Sequence, residues 1–191
     1  MTSFVIIGHR ATTSGDFSLN DMPGAAGRMD ILCRCVNTTF FLSHDLRRDT
    51  VCYLILSGGP DPEKTVRFTG ETVRYLNPDE RSAGSLIKKA LAHSCTDQFT
   101  ESTRGVEVRW GGLARLLEEV PCAVLDEHGE DIRTAPALPS GFLLSDHQNF
   151  TDEELHLIST LPRYSVGPKC LHADHTITVV LNELDRREAN Q

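Results

Sequence analysis

The chain has 191 residues, 39% of them hydrophobic and 24% charged, which is ordinary for a globular protein and long enough for a substantial core. Its formal net charge of −8 argues against a protein that holds nucleic acid through overall positive charge. No apolar run approaches the roughly 20 residues that span a bilayer, so no membrane partner is expected.

The distribution of charge says more than its sum. Residues 1–90 carry 11 Lys and Arg against 10 Asp and Glu, whereas residues 91–191 carry 8 against 17. A polyanion would therefore meet the N-terminal half. The six cysteines, at 33, 35, 52, 95, 122 and 170, form no CxxC pair, and most lie in apolar runs. That pattern predicts reduced thiols in a cytoplasmic protein with no metal site; Cys33 and Cys35, two apart on a helix, point to different faces.

Phe4-Val5-Ile6-Ile7 predicts a buried first strand rather than a signal peptide, since it lacks a basic flank and a long apolar region. After Gly8-His9-Arg10 comes a loop of roughly 18 residues rich in Thr, Ser, Gly and Asp, which reads either as a functional loop or as a disordered surface excursion. Pro23–Asp30 is a glycine-rich lead-in to a helix reaching about Phe41, with Asp30 near its positive end, where capping alone would explain a carboxylate. It matches neither GxGxxG nor the phosphate-loop pattern.

Val51–Leu56 predicts a central strand covered on both faces, ended by Ser57-Gly58-Gly59-Pro60. Lys64–Phe68 alternates in polarity as a further strand, and Asn77-Pro78-Asp79-Glu80 opens a helix running through Ala90-Leu91. Arg47, Arg48, Lys64, Arg67, Arg74, Arg81, Lys88 and Lys89 fall in this region, as a solvated face or as a phosphate track. Residues 94–105 read as a polar connection, Gly105–Trp110 as a strand, and Leu113, Leu116 and Leu117 as one helix face.

Three short apolar strands follow, each ending in a polar turn. Cys122–Leu125 ends in Asp126–Gly129, Gly141–Leu144 in Ser145–Gln148, and Arg163–Val166 in Gly167-Pro168, with a helix near Asp152–Ser159 between the last two. The chain closes on an amphipathic helix after His172 and His175, whose roles the sequence leaves unassigned. Strands alternating with helices predict an α/β class with a mostly parallel sheet, and ligands of such sheets bind where the strands' C-terminal ends converge. There is no GxSxG elbow; a thiol pair of Cys170 with His172 or His175 competes with plain packing of Cys170 at the turn.

The run Ser165-Val166-Gly167-Pro168-Lys169-Cys170-Leu171-His172-Ala173-Asp174-His175 resembles the archaeal tRNA pseudouridine N1-methyltransferases, the TrmY family of the SPOUT superfamily. So do Pro139–His147, Gly27–Arg34 and Phe41–Asp49, and the likeness extends over essentially the whole chain. The resemblance implies a single SPOUT domain over residues 1–191, a C-terminal trefoil knot, a homodimer, and S-adenosylmethionine in the knot. It implies a cofactor pocket of Leu125, Leu144, Ser145, Gly167, Lys169, Cys170 and Leu171, in which Cys170 is lining rather than nucleophile.

The implied reaction is methyl transfer to N1 of pseudouridine 54 in the tRNA T-loop. For it, Asp30 is the candidate base or orienting acceptor and Arg28 the cation, both acting across the dimer. His9, Arg10, Arg47 and Arg48 are the candidate tRNA-backbone contacts. The alternatives are methylation of a pseudouridine in small-subunit ribosomal RNA, and a non-catalytic RNA-binding module with a vestigial pocket.

Overall fold

The computed structural model describes residues 1–190. Among them, eight strands form one sheet: β1 (Thr2–Gly8), β2 (Thr50–Leu56), β3 (Lys64–Thr69), β4 (Thr100–Thr103), β5 (Val106–Trp110), β6 (Cys122–Asp131), β7 (Gly141–Ser145) and β8 (Arg163–Ser165). Their order across the sheet is β4-β5-β3-β2-β1-β7-β6-β8. The helices are α1 (Met29–Phe40), α2 (Glu80–Ala92), α3 (Leu113–Leu117), α4 (Asp152–Leu157) and α5 (Ala173–Ala189).

Alternation along the strands builds two cores. Phe4 and Ile6 of β1, with Cys52, Leu54 and Leu56 of β2, face the layer of α1, α2 and α5. Val5 and Ile7, with Tyr53 and Ile55, face α3 and Ile158. Because both faces are covered, β2 is buried at every position, which is why it reads as an unbroken apolar run. Phe4 stacks on Phe142 of β7 at 5.7 Å between ring centroids, locking the first strand to the second pocket-bearing strand.

The sheet is mixed rather than mostly parallel. β2, β1, β7, β6 and β8 run parallel, but β3, β5 and β4 extend the sheet antiparallel. The cause is connection length: only residues 57–63 join β2 to β3, too few for the crossover of a dozen or more residues that a parallel pair needs. β4 lies inside the stretch read as a polar connection; its half-exposed residues carry no apolar run. β6 continues through the expected turn at Asp126–Gly129, because Tyr164 pairs with both Leu125 and Glu130 and the four residues between bulge out. The cap of α2 is Asp79, whose side chain accepts from the Ser82 amide, so Asn77 and Pro78 lie before the helix.

Residues 9–28 are neither extended nor loose. Thr13 is fully buried and exchanges hydrogen bonds with the Asp61 backbone. The buried Lys64 ammonium donates to the Thr13 carbonyl at 2.8 Å and to Asp61 at 2.9 Å. Phe17, Met22 and Ala26 join the α1–α2 core. The carbonyl of Arg10 passes so close to Gly27 and Gly58 that a Cβ would lie 1.7 Å and 2.2 Å from it, and Gly27 has φ +64°. Gly27→Ala is therefore expected to cost about 3 kcal/mol and lower Tm by roughly 6–12 °C in a thermal melt.

Candidate functional site

The bulge of β6 and the C-terminal ends of β7 and β8 meet over a cavity of about 610 Å³, within the usual range for small-molecule sites. Leu125, Leu144, Ser145, Gly167, Lys169, Cys170 and Leu171, all seven residues expected to hold the cofactor, line it. The first turn of α5 and Ile31 of α1 close two further sides. A Cβ at Gly167 would meet no atom within 4 Å, so the protein's own packing does not require glycine there. The leucines supply an apolar slot, and the strand-to-helix segment supplies backbone polar groups, a donor set that fits an adenosine-bearing cofactor.

The polar residues of the rim are mostly spoken for. Arg163 donates to Asp126 at 2.6 Å. Burial opposes ionisation of Asp126, and the His128 amide and Arg163 outweigh it, holding the carboxyl below its usual range. Cys170 is exposed, and hydrogen bonding to Glu127 pushes its thiol up. A thiol kept protonated is a poor nucleophile, which favours lining over catalysis for Cys170. His172 and His175 stack edge to face at 5.8 Å, and His172 lines the cavity as the N-cap of α5 without a side-chain cap bond.

His9 holds the middle turn. Its Nδ1 lies 2.9 Å from one Asp146 oxygen and its Nε2 2.9 Å from Glu154, while its amide donates to the other Asp146 oxygen at 3.1 Å. Hydrogen bonding to Asp146, opposed by burial and reinforced by Glu154, raises its pKa from 6.5 to about 9. At neutral pH the ring is a cation donating from both nitrogens. Asp146 also accepts from the Gln148 amide, so one histidine orders the turn Asp146–Gln148 that walls the cavity.

Arg28 and Asp30 lie at the start of α1, just before Ile31, the one residue of that helix in the cavity lining. Arg28 has φ +67° and lays its guanidinium across Asp30 in two bonds of 3.0 Å and 3.1 Å. Arg34 adds a third at 3.0 Å and reaches Glu80 as well. Burial works against the Asp30 charge, but the bonds from Arg28 and Arg34 prevail and hold its carboxyl below the usual range. Asp30 makes no capping bond to α1; it is a receptor for arginines. Its neighbour Ile31 lines the cavity, whereas Arg28 and Asp30 are not among the lining residues.

The expected RNA contacts divide. Arg10 is exposed at the end of β1, on the pocket side of the sheet. His9, by contrast, has a side chain only 8% exposed and both nitrogens engaged, so it braces the fold rather than presenting a cation to a phosphate. Arg47 is clamped by Asp185 of α5 at 2.6 Å, and Arg48 donates to the Gly70 carbonyl. Both precede β2, at the opposite edge of the parallel strands from the cavity.

A family model described as "Putative SAM-dependent RNA methyltransferase" matches residues 1–189. The chain belongs to this family. It is 64% identical over 191 residues to the tRNA (pseudouridine(54)-N(1))-methyltransferase of Methanocorpusculum labreanum, covering 98% of each chain. It is 46% identical to the enzyme of the same name from Haloferax volcanii, covering 97% of this chain and 96% of that one. The crystal structure of Archaeoglobus fulgidus Nep1 bound to S-adenosylhomocysteine shares the fold, with a TM-score of 0.67 at 15% identity over 98% of this chain and 99% of that chain.

Asp126, Glu127, Asp146 and Tyr164, which belong to the three segments named from sequence but were not assigned to the cofactor, also line the cavity, as do Ile31 and Thr176. The first four needed only the whole of each turn to be counted; Ile31 and Thr176 needed the helix packing. His9→Gln keeps a polar side chain and loses the charge. Because folding raises the His9 pKa, its contribution is complete below about pH 6.5 and fades as pH rises through about 9. Melts from pH 6 to 10 are expected to show a deficit in His9→Gln that is largest at pH 6 and shrinks towards pH 10.

Proposed function

We propose that the protein transfers the methyl group of S-adenosylmethionine to N1 of pseudouridine 54 in the T-loop of tRNA, as a cytoplasmic homodimeric enzyme. The observation that carries this reading is the meeting of all seven pocket residues at three strand ends, in a chain of this family. The names of full-length relatives at up to 64% identity supply the nucleotide. Bound in the pocket, S-adenosylmethionine supplies an electrophilic methyl on a sulfonium.

The residues of the chain do the rest. Leu125, Leu144 and Leu171 hold an adenine in an apolar slot, and Gly167 admits it closely. As the new N–C bond forms the methyl–sulfur bond breaks, the N1–H proton passes to solvent water, and charge builds on the base carbonyls. In this reading Arg28 is the cation that receives that charge. Asp30, held low by two guanidinium groups, is a weak proton acceptor, so its role is to orient Arg28 rather than to act as base. Arg10, exposed on the pocket side, meets the tRNA backbone.

Exposed Leu155 and Leu171, both at the cavity, are apolar groups that a second subunit would cover. The single sheet through residues 2–165 supports reading 1–191 as one methyltransferase domain. Support for a threaded C-terminus comes from α5, which leaves the β8 edge, packs on α1, and is held by Arg187 bonds to the carbonyls of Ile132 and Ala135.

Mass spectrometry of pseudouridine-bearing tRNA after incubation with enzyme and cofactor is expected to show a methyl at position 54; methylation of a ribosomal RNA fragment alone would overturn the substrate. Gly167→Val should weaken S-adenosylmethionine binding by at least about tenfold in calorimetry, with Tm little changed, because the added bulk meets ligand and not protein. Asp30→Asn should lower kcat by roughly 10- to 100-fold without moving the pH–rate profile; a lost acidic limb would instead make Asp30 the base.

A further inference from the structure

A second cavity, of about 510 Å³, lies outside α2, lined among others by Tyr75, Asn77, Arg81, Lys89 and Thr103. Its charge differs from that of the chain around it. The nearby acids are engaged: Asp79 caps α2, Glu80 holds Arg34, and Glu101 accepts from the Gly105 amide. The cations are not. Arg81 bonds only the Asn20 side-chain oxygen, and Lys89, Arg74 and Arg104 form no ion pair among the described residues. The backbones of Arg74 and Arg104 are joined at 3.1 Å, so these two cations flank the cavity at one end.

Tyr75 stands over this cluster. It is 78% exposed, the most exposed aromatic ring described, and has φ +64°, a conformation a bulky side chain adopts at a cost. Core packing does not repay that cost, since the ring faces solvent. The hydroxyl of Thr103, buried without a hydrogen-bond partner, belongs to the same lining. An exposed ring, two free cations and polar groups around a cavity are the components by which proteins hold an unstacked nucleotide, the base on the ring and the phosphate on the cations.

We infer that this cavity is a second RNA site, which takes one unstacked nucleotide of the tRNA substrate with its base on Tyr75 and its phosphate at Arg81 and Lys89. The inference rests on tRNA being the substrate. Across the sheet, β4 beside this cavity stands five to six strand spacings, about 25–30 Å, from β7 and β6, while in the helix layer Arg34 joins Glu80 of α2 to Asp174 of α5. The nucleotide held here is therefore not the one methylated. By the same inference it lies outside the T-arm.

The test compares full-length tRNA with an isolated T-arm hairpin, using wild type, Tyr75→Ala, Tyr75→Phe and the double variant Arg81→Ala/Lys89→Ala. Tyr75→Ala is expected to raise Kd for full-length tRNA about tenfold, and Tyr75→Phe to restore it, since the ring does the stacking. The double variant should flatten the dependence of log Kd on log salt by roughly 0.7, for the one phosphate the two cations hold. Hairpin methylation and S-adenosylmethionine affinity should stay as in wild type. Unchanged tRNA affinity in both variants, or an equal loss on the hairpin, would overturn the inference. A wild type that methylates neither RNA would instead sink the substrate reading on which it rests.

Discussion

The protonated imidazole of His9 is the tie on which the site depends. It stands at the end of the first strand and binds a carboxylate from the end of β7 and another from α4. Three segments that are 137 and 145 residues apart in the chain are thereby joined by one ring. The charged ring helps to outweigh burial at Asp146 and hold its carboxyl below the usual range. The turn after β7 is thereby tied to the end of β1. The middle wall of the cofactor cavity is that turn.

The same economy recurs across the molecule. Cations that composition suggests are free for RNA are largely spent inside the fold. Lys64 anchors the loop after β1, Arg67 pairs with Glu107 and lies over Phe99, Lys88 bonds the Phe17 carbonyl, and Arg47 grips Asp185. What remains for a polyanion is smaller and better defined: Arg10 after the end of β1, and a separate cluster around α2. A chain with net charge −8 can bind RNA in this way because placement, not sum, decides where a phosphate is welcome.

The elements that position the site were legible because each combined an apolar run with a strong stop. The strand β2, the three converging strand ends and the seven lining residues follow from that pattern together with the family likeness. Other features were hidden for physical reasons. The mixed sheet depends on the seven-residue connection 57–63, whose shortness was a signal available but unused. β4 has no apolar face to announce it, and the bulge in β6 uses the polar residues that ordinarily mark a turn. The use of His9 was beyond reach, since its two carboxylates approach only through the fold. Asp30 looked like a cap from spacing, and only side-chain geometry shows it bound to two arginines.

The double pairing of Tyr164, with Leu125 before the bulge and Glu130 after it, separates two requirements that a strand end usually couples. Residues 127 and 128 can change character while the hydrogen-bonded ladder on either side keeps its register. Gly129 is pinned, since a Cβ there would press on the Tyr164 amide at 2.6 Å, and Asp126 is held by Arg163. The fold thus carries a small segment of free design beside a rigid cofactor seat. Divergence in what the rim recognises can accumulate there without disturbing what the seat holds.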